Sequence, residues 1–271
     1  MRQMETLVII ASSDQHLGYK GADKDSFLGF LDYVAQQANV SDFVIVGDFV
    51  DMWRRDVSGI FLENHDIIEK LLFLKTKMNV HMVVGNHDYH ATKLKNHNYP
   101  FQFFENLELK KHGKKYRFLH GYQWDDLQEP VFMEALCHVM SDNVGGNLSS
   151  IWDMIHGRKG FLARYKLPSG FGRVRTVERL GSLRKRPEIR LKETRQDIEK
   201  KAHRAAGRDA ILVFGHTHVP FINETNTVVN TGSWVFESSV HNTFVELHPE
   251  KISLKAFLNG AVRQVETRDQ L

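Results

Sequence analysis

Residues 80–88 read VHMVVGNHD, an apolar run rich in β-branched residues that ends in Gly85 and the polar side chains of Asn86, His87 and Asp88. A run of this length and composition is typical of a buried β-strand. Four further runs of this kind occur at Thr6 to Ser12, Asp42 to Val46, Tyr116 to Leu119 and Ala210 to Phe214. Each is followed by polar residues, so the sequence predicts strands that present chemically active side chains at their carboxyl ends.

Helical periodicity separates the first three strands. Apolar residues recur three and four positions apart in Asp25 to Ala38, with Asp23 or Asp25 as the candidate N-cap, and again in Leu62 to Met78. Alternating strands and helices over the first ~120 residues predict an α/β sheet with mainly parallel pairing. Shorter apolar runs near the C-terminus predict antiparallel β-strands. They are Val228 to Asn230, Trp234 to Phe236, Thr243 to Leu247 and Ile252 to Phe257.

Residues 125–207 interrupt this pattern. Two parts are helical in periodicity, Glu134 to Met140 and Arg190 to Arg204, and glycines and prolines break the rest. We interpret 125–207 as an inserted cap lobe of helices and loops, and 1–124 with 208–271 as the core. Between His156 and Arg208 there are 17 Lys plus Arg against 5 Asp plus Glu, a net charge of +12, while the whole chain carries +3. The lobe is therefore basic, and it is either a solvated surface or a region that attracts an anionic ligand.

The overall composition excludes several classes of protein. With 42% hydrophobic and 25% charged residues, the chain is globular and is not disordered, coiled-coil or collagen-like. The longest N-terminal apolar run, Leu7 to Ala11, is too short for a signal peptide or a membrane span, which predicts a cytoplasmic location with no transmembrane segment. The single cysteine, Cys137, excludes an intrachain disulfide and a thiolate metal site, so nitrogen and oxygen must bind any metal.

Polar clusters follow all five predicted strands. They are Ser13-Asp14-Gln15-His16, Gly47-Asp48, Gly85-Asn86-His87-Asp88, His120-Gly121 and Gly215-His216-Thr217-His218. The glycines before Asp48, Asn86 and His216 are predicted to allow tight turns at the strand ends. Alone, each cluster is more typical of a cap or a solvated turn, but together they predict one crevice lined by ligands that suit Mn²⁺, Fe or Zn²⁺.

The five clusters, with Asp51 completing Gly47-Asp48-x-x-Asp51, resemble in order the five motifs of the calcineurin-like metallophosphoesterases. The resemblance implies two facing mixed β-sheets flanked by helices, with two divalent metal ions at the strand ends. One metal is expected on Asp14, His16 and His218, the other on Asn86, His120 and His216, with Asp48 bridging both. Mn²⁺ is the expected ion, with Fe, Zn²⁺ or Ni²⁺ as alternatives, and a bridging hydroxide is the expected nucleophile.

The resemblance also implies a catalytic role for His87. In the family the corresponding residue contacts the phosphate and protonates or stabilises the leaving oxygen, and Asp88 is expected to orient the His87 ring. The alternatives are that His87 is a further metal ligand or a spacer.

Finer features are similar to the branch that contains the UDP-2,3-diacylglucosamine hydrolases. These are Gly47-Asp48-Phe49-Val50-Asp51-Met52-Trp53, Asn230-Thr231-Gly232-Ser233-Trp234 and the long insertion after His120. Asp51 and Trp53 are either direct substrate contacts, or a hydrogen-bonding partner of a metal ligand and a rim aromatic that packs on the core. Arg173, Arg175 and Arg179 are candidate substrate ligands in the lobe. Two positions depart from the lipid A enzymes, which commonly have Arg in place of His87 and Asp in place of Tyr122.

The predicted function is metal-dependent hydrolysis of a phosphodiester or pyrophosphate bond in a small anionic substrate that contains a nucleotide. A nuclease is the first alternative, because residues 14–19, DQHLGY, are similar to those of DNA-end repair nucleases and the basic lobe could grip a phosphate backbone. A non-catalytic scaffold, like the retromer subunit built on this fold, is disfavoured because such scaffolds lose metal ligands. Peripheral membrane contact through the lobe and the oligomeric state stay open.

Overall fold

The computed structural model of the protein describes residues 7–96, 100–125, 137, 187–207 and 209–265. The α-helices in these ranges are α1 (Lys24–Gln36), α2 (Val57–Glu63), α3 (His65–Lys75) and α4 (Pro187–Ala206). Two 3-10 helices span Tyr89–Asn96 and Tyr122–Trp124. In the described part of the chain, no helix is long and apolar enough to cross a membrane.

The strands form two sheets. They are β1 (Val8–Ser12), β2 (Val40–Val46), β3 (Asn79–Val83), β4 (Phe103–Phe104), β5 (Leu107–Lys111), β6 (Lys114–Phe118), β7 (Ala210–Phe214), β8 (Phe221–Ile222), β9 (Val228–Asn230), β10 (Thr243–Leu247), β11 (Ile252–Leu258) and β12 (Ala261–Gln264). The first sheet has the order β12-β11-β10-β1-β2-β3-β4, and the second has the order β5-β6-β7-β9-β8.

Parallel and antiparallel pairs occur in both sheets. Strands β1 to β3 pair in parallel, as predicted, and β4 adds a further parallel strand. The antiparallel strands β10, β11 and β12 join the first sheet through β1. In the second sheet β6, β7 and β9 are parallel, whereas β5 and β8 pair antiparallel at its edges. The predicted antiparallel finish is therefore wrong for β9, which lies in parallel beside β7.

The two faces of β1 pack against different layers of the fold. Ile9 and Ala11 lie in the apolar cluster between the sheets, whereas Val8 and Ile10 pack in the cluster that contains Phe27 and Phe30 of α1. Since both faces of the strand are buried, its sequence is a continuous apolar run rather than an alternating one. Helix α4 packs on the second sheet through Ile198, Ala202 and Ala206. Two facing mixed sheets with outer helices confirm the predicted fold class.

Helix α1 begins where the sequence indicates. The Asp23 carboxylate accepts a hydrogen bond from the Ser26 amide at 3.1 Å, which makes Asp23 the N-cap. The predicted single helix from Leu62 to Met78 is instead two helices, α2 and α3. The break occurs at Asn64, whose φ of −128° is not helical and whose side-chain amide donates to the Ile60 carbonyl at 2.7 Å.

The predicted strand from Trp234 to Phe236 is also absent, and an isolated bridge between Ala22 and Val235 stands in its place. Trp234 is buried against Phe27 and Phe30, and its indole N–H donates to the Ser12 hydroxyl at 2.7 Å. Packing against α1 therefore decides the conformation of this segment. The sequence runs did not reveal β4, β5, β8 or β12, which are short or largely polar edge strands.

The inserted lobe lies largely outside the described residues. Helix α4 confirms the helix predicted over Arg190 to Arg204. Within the helix predicted at Glu134 to Met140, the structure describes one residue, Cys137, which is helical and buried. Arg173, Arg175 and Arg179 lie outside the described residues, and the boundaries of the lobe stay a prediction.

Candidate metal centre

The five predicted clusters meet at one end of the sandwich. The segments after β1, β2 and β3 carry Asp14, Asp48 and Asn86 from the first sheet, and those after β6 and β7 carry His120 and His216 from the second. Backbone hydrogen bonds connect them: the Asp14 amide donates to the Gly47 carbonyl at 3.0 Å, and the Gly215 amide donates to the His120 carbonyl at 2.9 Å. The site therefore spans both sheets.

Two groups of ligating atoms share Asp14. In the first, Oδ1 of Asp14 lies 3.1 Å from Nε2 of His218, and Nε2 of His16 lies 3.2 Å from the same His218 atom. In the second, Nε2 of His120 lies 3.1 Å from Oδ2 of Asp48 and 3.7 Å from Oδ1 of Asp14. Within each group the atoms are all less than 4.8 Å apart. Because Oδ2 of Asp48 is also 3.6 Å from Nε2 of His16, this carboxylate faces both groups.

Asn86 and His216 lie on the His120 side of the site. Nδ1 of His216 is 3.1 Å from Oδ1 of Asn86, and the His120 and His216 rings are 5.2 Å apart. Oδ2 of Asp125 is 3.5 Å from the other ring nitrogen of His216. Asp125 lies outside the five motifs, so its place in the site was not predicted from the sequence.

Two buried polar atoms in the site lack hydrogen-bond partners within the described ranges. Oδ2 of Asp14 accepts from the Ser13 hydroxyl at 2.5 Å and the His216 amide at 3.0 Å, whereas Oδ1 has no such partner. Nδ1 of His120 hydrogen-bonds to the Val46 carbonyl at 2.8 Å, and its Nε2 likewise makes no hydrogen bond, although it lies 3.1 Å from Oδ2 of Asp48. Unpaired buried polar atoms destabilise a fold, and a cation satisfies such donors of electron pairs. The residues present therefore fit divalent cations.

Charges in the site compensate one another in the metal-free protein. Burial alone would raise the pKa of Asp14, but His120 and His218 hold it well below its usual value. Burial opposes protonation of His16, yet the neighbouring carboxylates of Asp14 and Asp51 raise its pKa to about 10. Similarly, Asp48 and Asp14 raise the pKa of His120 to about 9 against the effect of burial. Bound cations would neutralise the Asp14 and Asp48 carboxylates in place of the positive charge on these imidazoles.

Five of the seven predicted ligands adopt a left-handed backbone conformation. Their φ angles are 56° for Asp14, 48° for His16, 51° for Asp48, 66° for His216 and 57° for His218. Such conformations cost on the order of 1–3 kcal/mol each for residues other than glycine and cluster at functional sites. The strain indicates that the backbone is shaped to aim these side chains.

The glycines before the ligands act in two ways. Gly47 has a φ of 87°, so it allows the predicted tight turn before Asp48. A Cβ on Gly85 would lie 2.1 Å from Oδ1 of Asp48, and one on Gly215 would lie 2.3 Å from Oδ2 of Asp14. At Gly85 and Gly215, which have no left-handed φ, glycine is therefore needed for close packing of the loops.

Three side chains hold the His87 ring. Its Nδ1 lies 2.9 Å from Oδ1 of Asp51, the Trp53 indole stacks on it with centroids 4.0 Å apart, and the His16 ring packs edge-on at 4.7 Å. Arg54 donates to Oδ2 of Asp51 at 2.6 Å, a neighbour that the sequence argument did not identify. Burial lowers the pKa of His87, although Asp51 opposes the shift.

Asp88 does not make the predicted hydrogen bond to His87. Its carboxylate accepts from the backbone amides of Gly85 at 2.6 Å and Phe49 at 2.8 Å, and Asp51 takes the place predicted for it beside His87. Burial and the nearby Asp48 raise the pKa of Asp88 to about 7. Adjacency in sequence misled here, because the Asp88 side chain connects two loops.

The fold and the cluster fit a metal-dependent hydrolase. A sequence profile described as calcineurin-like phosphoesterase matches residues 7–249, and the chain belongs to this family. It is accordingly a metallophosphoesterase, with Asp and His residues suited to a dinuclear metal site. No curated protein sequence matches the chain significantly.

Solved structures with the same overall span are similar to the chain at low sequence identity. Vacuolar protein sorting 29 from Cryptosporidium parvum is 14% identical over 96% of each chain, with a TM-score of 0.47. A dimetal phosphatase from Danio rerio is 11% identical over 94% of this chain and 100% of its own, with a TM-score of 0.45. An archaeal phosphodiesterase is 14% identical over 92% of this chain and 98% of its own, with a TM-score of 0.42.

Proposed function

We propose that this metallophosphoesterase hydrolyses phosphodiester or pyrophosphate bonds with two divalent cations. Asp14, His16 and His218 would hold one cation, Asn86, His120 and His216 the other, and Asp48 would bridge them. The observation that carries the proposal is that Oδ1 of Asp14 and Nε2 of His120, two buried atoms that make no hydrogen bond within the described residues, lie 3.7 Å apart. Cations bound to such ligands lower the pKa of water and stabilise charge on phosphoryl oxygens.

The ligand types favour particular metals. Carboxylate, amide and imidazole groups are hard-to-borderline ligands, and no thiolate lies among them, so Mn²⁺ is the proposed ion, with Fe, Zn²⁺ or Ni²⁺ as alternatives. Equilibrium dialysis of the metal-stripped protein against each ion, followed by activity measurements, distinguishes them.

His87 is the proposed acid of the reaction. Asp51 engages its Nδ1, which leaves Nε2 as the ring nitrogen for the substrate. We propose that Nε2 donates a proton to the leaving oxygen; Asp51 favours the protonated ring that this step needs, against burial, which lowers the pKa of His87. The buried carboxylate of Asp51 fixes the tautomer that this role requires.

The proposed substrate is a small anionic molecule that contains a nucleotide. The basic segment from His156 to Arg208 supports an anionic substrate, since it carries +12 while the rest of the chain carries −9. The sequence similarity around Asp51, Trp53 and Trp234 supports a UDP-diacylglucosamine hydrolase-like substrate, although His87 stands where lipid A enzymes commonly have Arg.

A substrate panel with Mn²⁺ tests the proposal. It contains bis-p-nitrophenyl phosphate, p-nitrophenyl phosphate, a UDP-sugar, a cyclic nucleotide and single-stranded DNA. We expect cleavage of the diester and the UDP-sugar, and loss of both activities on chelation. Full activity after metal removal would contradict the dinuclear mechanism, preferential cleavage of the monoester would contradict diesterase specificity, and preferential cleavage of DNA would favour the nuclease alternative.

A further inference from the structure

We infer that Trp53 is a positioning residue that sets the orientation of the His87 imidazole, and that it does not contact the substrate. The inference rests on the proposed role of His87 as the acid. Trp53 follows Asp51 by two positions in the segment between β2 and α2, so one loop supplies two of the groups that hold the ring.

The stacking geometry is specific. The indole and imidazole centroids are 4.0 Å apart with an interplanar angle of 26°, whereas the His16 ring meets His87 edge-on at 85°. One face of His87 therefore lies against an aromatic plane. The hydrogen bond with Asp51 fixes one ring nitrogen, but alone it still permits the ring to pivot about that bond. The Trp53 face restricts this remaining motion, and proton transfer depends on such alignment.

Trp53 is itself held in place. Its backbone amide donates to Oδ1 of Asp51 at 3.2 Å, and this is the oxygen atom that faces Nδ1 of His87. The adjacent Met52 amide donates to the His87 carbonyl at 3.2 Å, and the Cys137 sulfur packs 3.7 Å from the same carbonyl. Trp53, Asp51 and His87 thus form one hydrogen-bonded and stacked unit.

Burial separates Trp53 from substrate contact. It is only 3% exposed and belongs to the main apolar cluster. The Arg54 side chain is 21% exposed and covers the Tyr19 ring at 4.6 Å, so other residues of this loop form its accessible side. Replacing the indole should therefore change turnover and leave substrate affinity unaltered.

Leaving-group dependence provides the test. Trp53→Leu removes the aromatic face, Trp53→Phe retains a smaller one, and Trp124→Leu, in which the lost indole packs on Phe214, is the matched control. We measure kcat and KM on bis-p-nitrophenyl phosphate and diphenyl phosphate, because phenol is the poorer leaving group and depends more on an acid. Trp53→Leu should lose roughly 10–100-fold in kcat on the phenyl ester and much less on the nitrophenyl ester, with KM and metal content unchanged. Trp53→Phe should recover most of the lost kcat. Trp124→Leu should lose no more kcat on the phenyl ester than on the nitrophenyl ester.

A second measurement does not depend on activity. In the metal-free protein, proton NMR of the imidazoles, with His87→Gln to assign the signal, should show a ring-current shift of the His87 protons that disappears in Trp53→Leu. A raised KM with unchanged kcat, equal losses on both esters, or an unmoved His87 signal would overturn the inference. If His87→Gln itself leaves both rates intact, the proposed acid is wrong and the catalytic role of Trp53 falls with it. If His87→Gln is impaired but Trp53→Leu is not, only the inference about Trp53 fails.

Discussion

The carboxylate of Asp51 places one oxygen 2.9 Å from Nδ1 of His87, and its other oxygen lies 3.1 Å from Nδ1 of His16. A single buried side chain therefore orients the proposed acid and a proposed metal ligand. His16 and His87 hold the pKa of Asp51 well below its usual value, although burial alone would raise it.

Asp51→Asn should impair both functions of this carboxylate. An amide has one acceptor oxygen for two imidazoles and no negative charge, so we expect kcat to fall by about 10²-fold or more and metal affinity to fall by about 10–100-fold. Kinetics at saturating Mn²⁺ and equilibrium dialysis measure the two effects separately.

Asp88→Asn is the control for that experiment. Because the Asp88 carboxylate accepts from the backbone amides of Gly85 and Phe49 and from no other group in the described ranges, this change should lower the melting temperature and affect kcat less than Asp51→Asn does. A larger loss of kcat in Asp88→Asn would restore the role first predicted for Asp88.

Asp48→Asn and His87→Ala should separate metal binding from proton transfer. Asp48 faces both groups of ligating atoms, so its replacement should deplete both metals. His87→Ala should retain about two ions per chain and lower kcat by roughly 10²–10⁴-fold. Metal analysis after gel filtration decides the matter: loss of metal from His87→Ala would identify His87 as a ligand.

Metal binding should release protons. The pKa is raised to about 10 for His16 and to about 9 for His120, so both imidazoles are protonated at pH 7 in the metal-free protein and must lose a proton to bind a cation. Apparent affinity should therefore rise as the pH increases toward 9. Calorimetry in buffers of different ionisation enthalpy counts the protons, and a pH-independent affinity would contradict the expectation.

Asp42 lies at the opposite end of β2 from the metal centre. We expect its contribution to the stability of the fold to depend on pH. The buried carboxylate contacts His81 at 2.9 Å and Lys111 at 2.9 Å, which connects the two sheets. Burial alone would raise the pKa of Asp42, but His81, Ser41 and Lys111 lower it. Its contribution is thus fully present above the unfolded pKa of about 3.9 and is lost as the pH falls through the lower folded value.

We expect Asp42→Asn to lower the free energy of unfolding by about 1.5–3 kcal/mol at pH 7, with a smaller difference below pH ~4. Urea titrations with chelator present measure it. The matched control is Asp32→Asn, which removes an exposed ion pair with Lys70 and should cost less than about 1 kcal/mol. Equal losses in the two variants would show that the Asp42 contacts contribute no more than a surface pair.

Neutralising Arg173, Arg175 and Arg179 together tests the basic segment. If it attracts an anionic substrate, the triple variant should raise KM, retain its metals and show a weaker salt dependence of kcat/KM. On single-stranded DNA a nuclease should lose binding with a log–log salt slope near −0.7 per phosphate contacted, whereas a nucleotide offers only a few charges. An unchanged KM in the triple variant would identify the segment as a solvated surface.

Buried strands were the most predictable part of the fold. The runs at β1, β2, β3, β6 and β7 are apolar because both strand faces are covered, so composition alone reveals them. The break between α2 and α3 was not predictable from periodicity, since apolar residues continue through Asn64 while its backbone leaves the helix. Trp234 was mistaken for a strand residue because its apolar character serves packing on α1.

The sequence by itself determined which residue types end the strands and in what order, and the resemblance of that order to the family's five motifs predicts seven metal ligands. Strand order and loop conformation were decided only by the tertiary structure. It brings β6 and β7 of one sheet against β1, β2 and β3 of the other, and gives Asp14, His16, Asp48, His216 and His218 a left-handed backbone. It also turns Asp88 toward the backbone and places Asp51 and Trp53 around His87. The physical reason is that side-chain direction depends on backbone dihedrals and on contacts between distant segments, which spacing along a chain does not encode.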